Sequence, residues 1–246
     1  MLAAKVSAAT YSKGFLMKKL GIIGGIGPAS TLDYYRDIVS AVHMQLGTGD
    51  YPELVIRSIN MNKMLTLVEN EQWDTVVALL VDAISDLAAA GAEFAAMASN
   101  TPHIVFDEVQ KRCDLPLVSI VDTTCKYAQA QGCKKAVVLG TRFVMSSSLY
   151  TKAFEKYGIT AVVPSEKEQE LIHSFIFPHL ENGIVVLEDK QKMLELANCL
   201  LHEHQADALV LGCTELPLMI QEGDLDTVLL NTTRLHIEAL VRKILL

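Results

Sequence analysis

Two short segments carry side chains that could move a proton. Gly212-Cys213-Thr214-Glu215 places a thiol two residues before a carboxylate, and Ser99-Asn100-Thr101-Pro102-His103 places a hydroxyl beside an amide and an imidazole. Cysteine acts as a nucleophile or base in its thiolate form, which the N-terminus of a helix favours. Cys213 follows the apolar run Ala208–Leu211 and precedes Pro217, which reads as a strand-to-helix junction. That junction predicts a lowered thiol pKa. Glu215 either orients a partner of the thiol or serves as a favourable first-turn carboxylate. Ser99 stands where a proton-transfer group would stand, although a serine hydroxyl is a poor base without an activating neighbour. Thr101 as N-cap followed by Pro102 also starts a helix with no further role.

A third segment, Gly21-Ile22-Ile23-Gly24-Gly25-Ile26-Gly27-Pro28, joins the first strand to the first helix. Its glycines allow a tight turn and close approach of a ligand to the backbone. The dinucleotide fingerprint G-x-G-x-x-G is not matched, because Ser30 stands where its last glycine would be. A carboxylate or amino acid suits the loop better than a nucleotide, and a bare structural turn is the competing reading. His103 and His236 fall on helical segments and either orient a thiol or carboxylate or simply satisfy the core. Cys113, Cys125, Cys133 and Cys199 lie within or beside helices and read as inert.

Several elements must position these groups. Apolar runs predict strands at Leu20–Ile23, Leu54–Ile59, Phe94–Ala98, Leu117–Ile120, Ala136–Leu139, Thr160–Val163, Ala208–Leu211 and Val228–Leu230. Helical patterns fall between them, near 29–46, 73–90, 102–112, 122–131, 147–157, 166–181, 188–204 and 232–245. This alternation predicts an α/β fold with parallel sheets covered on both faces. The stretch Ala92–Thr101 echoes Ala206–Thr214: an apolar strand runs into a small nucleophilic side chain, and a threonine comes next. Two such units predict two similar lobes whose strand ends face a common cleft.

Bulk properties narrow the function further. The 246 residues are 50% hydrophobic and 20% charged, enough apolar surface for a large core. A formal charge of −8 argues against nucleic acid or an anionic membrane as the main partner. Five cysteines without a Cys-x-x-Cys pair fit neither a disulfide framework nor zinc, and point to a reducing, cytoplasmic setting. No apolar run is long enough to span a bilayer. Residues 1–16 read as a loose arm.

From Met17 onward the chain resembles the aspartate/glutamate racemase family. Gly21, Gly24, Gly25 and Thr31 match its opening glycine pattern, with Pro28 a companion. Ser99-Asn100-Thr101-Pro102-His103 is similar to its first catalytic loop, Cys-Asn-Thr-x-His, and Gly212 to Glu215 match its second. Leu139-Gly140-Thr141 and His236 also fit. The resemblance implies two parallel α/β lobes related by a pseudo-twofold axis, with the site between them. It puts residues 17–115 and 222–246 in one lobe and 116–221 in the other. It implies a homodimer that uses neither pyridoxal phosphate nor metal and inverts a small-molecule amino acid. Cys213 and Ser99 would be catalytic, and Gly25, Ile26, Asn100, Thr101, Pro102, Thr214 and Glu215 would hold the substrate.

Two departures bear on the chemistry. Ser99 replaces the first thiol of the family, so Cys213 would abstract the proton and Ser99 would serve at most as an acid. Glu170 stands where acidic-substrate members carry a basic residue, leaving Lys167, Lys63 and Arg57 as substitute cations; Asn231 replaces a family aspartate. The leading expectation is a cofactor-independent racemase of an acidic amino acid, with neutral and basic substrates open. The alternatives are an amino-acid-binding paralogue without turnover and a single-cysteine decarboxylase or isomerase of small dicarboxylates.

Overall fold

The computed structural model describes residues 17–246, so the arm expected at 1–16 lies outside the described residues. The first half runs β1 (Leu20–Gly24), α1 (Pro28–Leu46), β2 (Leu54–Ser58), α2 (Met61–Glu69), α3 (Trp73–Ala89) and β3 (Phe94–Met97). A 3-10 turn at Thr101–Val105 then leads into α4 (Phe106–Lys111), β4 (Leu117–Val118) and α5 (Ile120–Ala130). The second half runs β5 (Lys135–Leu139), α6 (Arg142–Ser146), α7 (Leu149–Glu155), β6 (Thr160–Val162) and α8 (Glu166–Ile176). A 3-10 turn at Leu180–Asn182, α9 (Leu187–His204), β7 (Ala208–Leu211), a 3-10 turn at Leu216–Leu218, β8 (Val228–Asn231) and α10 (Thr232–Ile244) complete it.

The strands form two parallel sheets of four, ordered β2-β1-β3-β4 and β6-β5-β7-β8. The order is the same in both: the first strand of each half is central, and its third strand lies beside it. β3 and β7 are therefore equivalent, and the Ser99 and Cys213 segments leave equivalent carboxyl ends. Every residue of β1, β3 and β7 is buried, as parallel strands covered on both faces require.

Two helices cross between the sheets. α5 comes after β4 of the first sheet, yet Ile120, Val121, Cys125 and Ala128 pack into a core built on β5, β7 and β8 of the second. α10 comes after β8 of the second sheet, yet Ile237, Leu240, Val241 and Ile244 pack with Leu20, Ile22 and Phe94 of the first. Residues 117–118, expected in lobe 2, pair with β3, while residues 228–231, expected in lobe 1, pair with β7. The exchange explains both displacements: each last strand stays with its own sheet and its helix does not.

Local physics accounts for other differences from the expected elements. α2 is additional to them, although Met61, Met64, Leu65 and Val68 recur at helical spacing and the Asn60 side chain accepts from the Lys63 amide at 3.0 Å. The helix expected over 166–181 ends at Ile176, because Phe177 precedes Pro178 and takes an extended conformation (φ −110, ψ 136). The helix expected near 147–157 is α7 (Leu149–Glu155), and the short α6 (Arg142–Ser146) before it is additional to the expected elements. No helix of the described residues is long and apolar enough to cross a membrane.

Burying each large side chain of α10 contributes roughly 1.5–3 kcal/mol, so the crossing helices hold the lobes together. Leu240→Ala should lower unfolding free energy by about 2–5 kcal/mol in urea denaturation. A loss below about 1 kcal/mol would mean that α10 is not part of the cooperative core.

Candidate active site between the sheets

A cavity of about 300 Å³ opens where the carboxyl ends of the two sheets meet. Of the expected residues, Ile26, Ser99, Asn100, Thr101, Cys213, Thr214 and Glu215 line it. Ser99 comes from the first sheet and Cys213 from the second. Cys213 reaches the cavity because Gly212 passes close to β5: a Cβ at Gly212 would lie 2.8 Å from the Leu139 carbonyl oxygen.

The thiol is not free. Cys213 Sγ donates to Glu215 Oε2 at 3.1 Å, and the Thr214 hydroxyl donates to the same oxygen at 2.7 Å. Burial, and then the negative charge of Glu215, push the thiol pKa well above its ordinary value, although the amides of Glu215 and Leu216 pull the other way. The lowered pKa expected from a helix N-terminus is corrected by this arrangement. The 3-10 turn after Cys213 has three residues, too few to supply much dipole, and the nearest charge is negative. Cys213 is thus a thiol at neutral pH, with a proton acceptor already in place. Ser99 differs, because no base is bonded to its hydroxyl among the described residues.

Asn100 is fixed by both lobes. Its Oδ1 accepts from Tyr150 Oη of α7 at 2.7 Å, and its Nδ2 donates to the Thr232 hydroxyl at the start of α10 at 3.1 Å. Thr232 in turn donates to the Leu211 carbonyl at the end of β7 at 2.8 Å. One amide hydrogen of Asn100 remains beyond these bonds. Tyr150 is fully buried, which raises its pKa and keeps it a donor.

The histidines lie beneath the cavity and do not line it. His103 Nε2 accepts from the Ile120 amide at 3.2 Å, so its Nδ1 carries the proton and donates to the Ser99 carbonyl at 2.9 Å. His236 Nε2 lies 3.0 Å from the Val118 carbonyl and donates to it, which leaves Nδ1 to accept from Tyr34 Oη at 2.8 Å. Burial first, and for His103 the neighbouring His236, lower their pKa values to about 3 and about 4. Both are neutral positioning groups that act on backbone and tyrosine, not on the thiol or a carboxylate.

Other expected residues also fall elsewhere. The Gly25 amide donates to Thr31 Oγ1 at 2.8 Å, and a Cβ there would lie 2.3 Å from the Ile59 carbonyl oxygen at φ +85. Gly25 shapes the loop, whereas its neighbours Ile26, Gly27 and Pro28 face the cavity. Pro102 is buried and does not line the cavity. Lys63 and Lys167 are exposed and away from the lining, and Arg57 is paired with Asp86 at 2.7 Å. Lining residues not singled out from sequence are Met61 and Leu65 of α2, and Ile176, Phe177, Glu181 and Asn182 at and after the end of α8. The helical spacing of Met61 and Leu65 was the available signal; the other four depend on where α8 stops.

Residues 23–240 match the family model described as Asp/Glu/Hydantoin racemase. The chain is 26% identical over 206 residues to the "Broad specificity amino-acid racemase RacX" of Bacillus subtilis (strain 168), covering 80% of this chain and 85% of that protein. It is similar to the crystal structure of an aspartate racemase homologue from Pyrococcus horikoshii OT3 (36% identity, TM-score 0.82, 92% of this chain and 98% of that one). The aspartate racemase of Picrophilus torridus shares the fold at 24% identity, with TM-score 0.68 and coverage of 92% and 93%. The chain belongs to the Asp/Glu/Hydantoin racemase family and is an isomerase of the amino-acid racemase type.

The two buried histidines make stability depend on pH. An unfolded histidine titrates near 6.5, so the unfolded chain binds protons that the folded chain does not. Their contribution is complete above about pH 6.5 and is lost as pH falls toward the folded values of about 4 and about 3. At pH 5 the loss is about 2 kcal/mol per histidine. Urea denaturation at pH 7.5 and 5 should show it, with the drop roughly halved in His236→Gln; an equal drop in that variant would refute the assignment.

Proposed function

We propose that this member of the family inverts the α-carbon of a free amino acid, with Cys213 as the abstracting group, Glu215 as the acceptor of its proton, and Ser99 as the hydroxyl on the other catalytic loop. The observation that carries the reading is the Cys213-to-Glu215 hydrogen bond of 3.1 Å in a cavity that Ser99 also lines. A thiol held high in pKa is a weak base until its proton is removed, and a carboxylate already bonded to it is placed to remove it.

Protons and electrons balance over the cycle. Glu215 takes the Cys213 proton, and the thiolate removes the α-hydrogen, leaving the electron pair to delocalise into the substrate carboxylate. Asn100, Thr101 and Thr214 hold the substrate and offset the developing charge. Return of a proton from Cys213 restores the original hand, whereas delivery from Ser99 inverts it. Ser99 then regains a proton from solvent and Glu215 releases the one it took, which returns the site to its starting state. A hydroxyl gives up a proton far less readily than a thiol, so exchange with solvent should outrun inversion. The same reading includes a homodimer in a reducing, cytoplasmic compartment; the free thiols Cys113, Cys125, Cys133, Cys199 and Cys213 support the compartment.

The missing base at Ser99 favours one competing reading, an amino-acid binder without turnover. It requires a ligand-induced melting shift that survives Cys213→Ala and no exchange in either protein. A dicarboxylate decarboxylase gains no support from a cavity whose lining carboxylates are Glu181 and Glu215.

Incubation of single enantiomers in heavy water, read by NMR for deuterium uptake and by chiral chromatography for inversion, tests the proposal. Uptake should exceed inversion. Cys213→Ala should abolish both, Glu215→Gln should slow uptake by about 10²–10⁴-fold, and Ser99→Cys should raise two-way inversion. Absence of uptake across the proteinogenic amino acids would overturn the proposal, and unchanged inversion in Ser99→Cys would count against the site.

A further inference from the structure

The carboxylates and cations around the cavity are unevenly placed. Glu181 and Glu215 line it, and no lysine, arginine or histidine among the described residues does. The cations that could have met an acidic side chain stand elsewhere: Lys63 and Lys167 are exposed, and Arg57 is occupied by Asp86. Arg142, next to lining residue Thr141, is also exposed and outside the lining. A substrate with a carboxylate side chain would add a third negative group to an enclosed space, with no cation to offset its desolvation.

The two glutamates differ in what they do. Glu215 Oε2 is occupied by Cys213 and Thr214. Glu181 makes no hydrogen bond or ion pair with a described residue, and burial together with the charge of Glu215 holds its carboxyl above the ordinary range. Its backbone is anchored on both sides, by fully buried Leu180 and by Asn182 Nδ2 donating to the Pro178 carbonyl at 2.7 Å. Ile26, Met61, Leu65, Ile176 and Phe177 supply apolar wall. An aliphatic stem that ends in a positive charge fits that combination, with the stem on apolar surface and the head at the carboxylate.

We infer that Glu181 determines specificity and that the substrate is an amino acid with a cationic side chain of the lysine or ornithine type. The inference rests on the proposed function for the placement of the α-carbon at Cys213. Glu181 has no part in the proton transfer and serves to receive the side-chain cation.

Turnover of lysine, norleucine and glutamate separates the cases, since norleucine keeps the stem and lacks the charge. In the unsubstituted protein kcat/KM for lysine should exceed that for norleucine by at least tenfold, and glutamate should be the poorest of the three. Glu181→Gln should lower the lysine-to-norleucine ratio about tenfold or more, chiefly through KM, while Glu181→Asp keeps most of it. Glutamate turned over as well as lysine, or a ratio that Glu181→Gln leaves unchanged, would overturn the inference. Calorimetric binding of lysine to Cys213→Ala, with and without Glu181→Gln, keeps the two readings apart. Lysine binding that depends on Glu181, in a protein that exchanges no amino acid, would leave this inference standing and the racemase reading refuted. Exchange of many amino acids, with lysine binding indifferent to Glu181, would do the reverse.

Discussion

The site depends on how one buried amide is satisfied. Asn100 leaves the third strand of the first sheet and finds its partners in Tyr150 and Thr232, both from the second half of the chain. A buried amide left unpaired costs about 1–3 kcal/mol, so the carboxyl end of β3 is stable only when α7 and the start of α10 are in place. Thr232 also bonds the Leu211 carbonyl, two residues before Cys213. The Ser99 and Cys213 loops are consequently set relative to each other by a continuous run of hydrogen bonds, in addition to apolar packing. A cavity between two lobes would otherwise vary with every small motion between them, and catalysis at a carbon acid tolerates little variation in distance.

The exchange of α5 and α10 works in the same direction. Each sheet is completed by a helix that belongs, in chain order, to the other, and His103 and His236 sit where these crossings occur. His103 links the Ser99 carbonyl to the first amide of α5, while His236 links α10 to the Val118 carbonyl just before α5. Neutral imidazole suits this task because each ring donates once and accepts once, and a second proton would break one of the two bonds.

Much of this architecture is legible in composition and pattern. All eight strands fall on the expected apolar runs, although β4 stops at Val118 because Ile120 already begins α5. The echo between 92–101 and 206–214 corresponds to equivalent third strands, a relation visible in sequence because both must end in a small residue beside the cavity. The far wall is less accessible. Glu181 and Phe177 reach the cavity only because α8 stops before Pro178 and the chain turns back, a path set by packing of Leu180 into the second core. Side-chain direction is likewise hidden: Lys63 and Lys167 sit close in sequence to lining segments yet point to solvent. The thiol pKa departs from expectation for a related reason, since strand-to-helix spacing does not reveal that Glu215 folds back onto the sulfur.

That fold-back governs the resting state of the sulfur. A carboxylate beside a buried thiol opposes ionisation, which is the reverse of what a proton-abstracting cysteine needs at rest. The arrangement makes sense if the thiolate exists only while a ligand is bound. An amino acid enters with an ammonium group, and a positive charge near Glu181 and Glu215 offsets the repulsion between them. Filling the cavity would also displace water, so in the proposed function the thiolate formed by proton transfer to Glu215 would meet the α-carbon without a hydration shell to shed. An empty site then keeps its thiol protonated and less open to oxidation, since susceptibility tracks thiolate character. Under the proposed function, the carboxylate that opposes ionisation of the thiol in the free protein would receive its proton once substrate is in place.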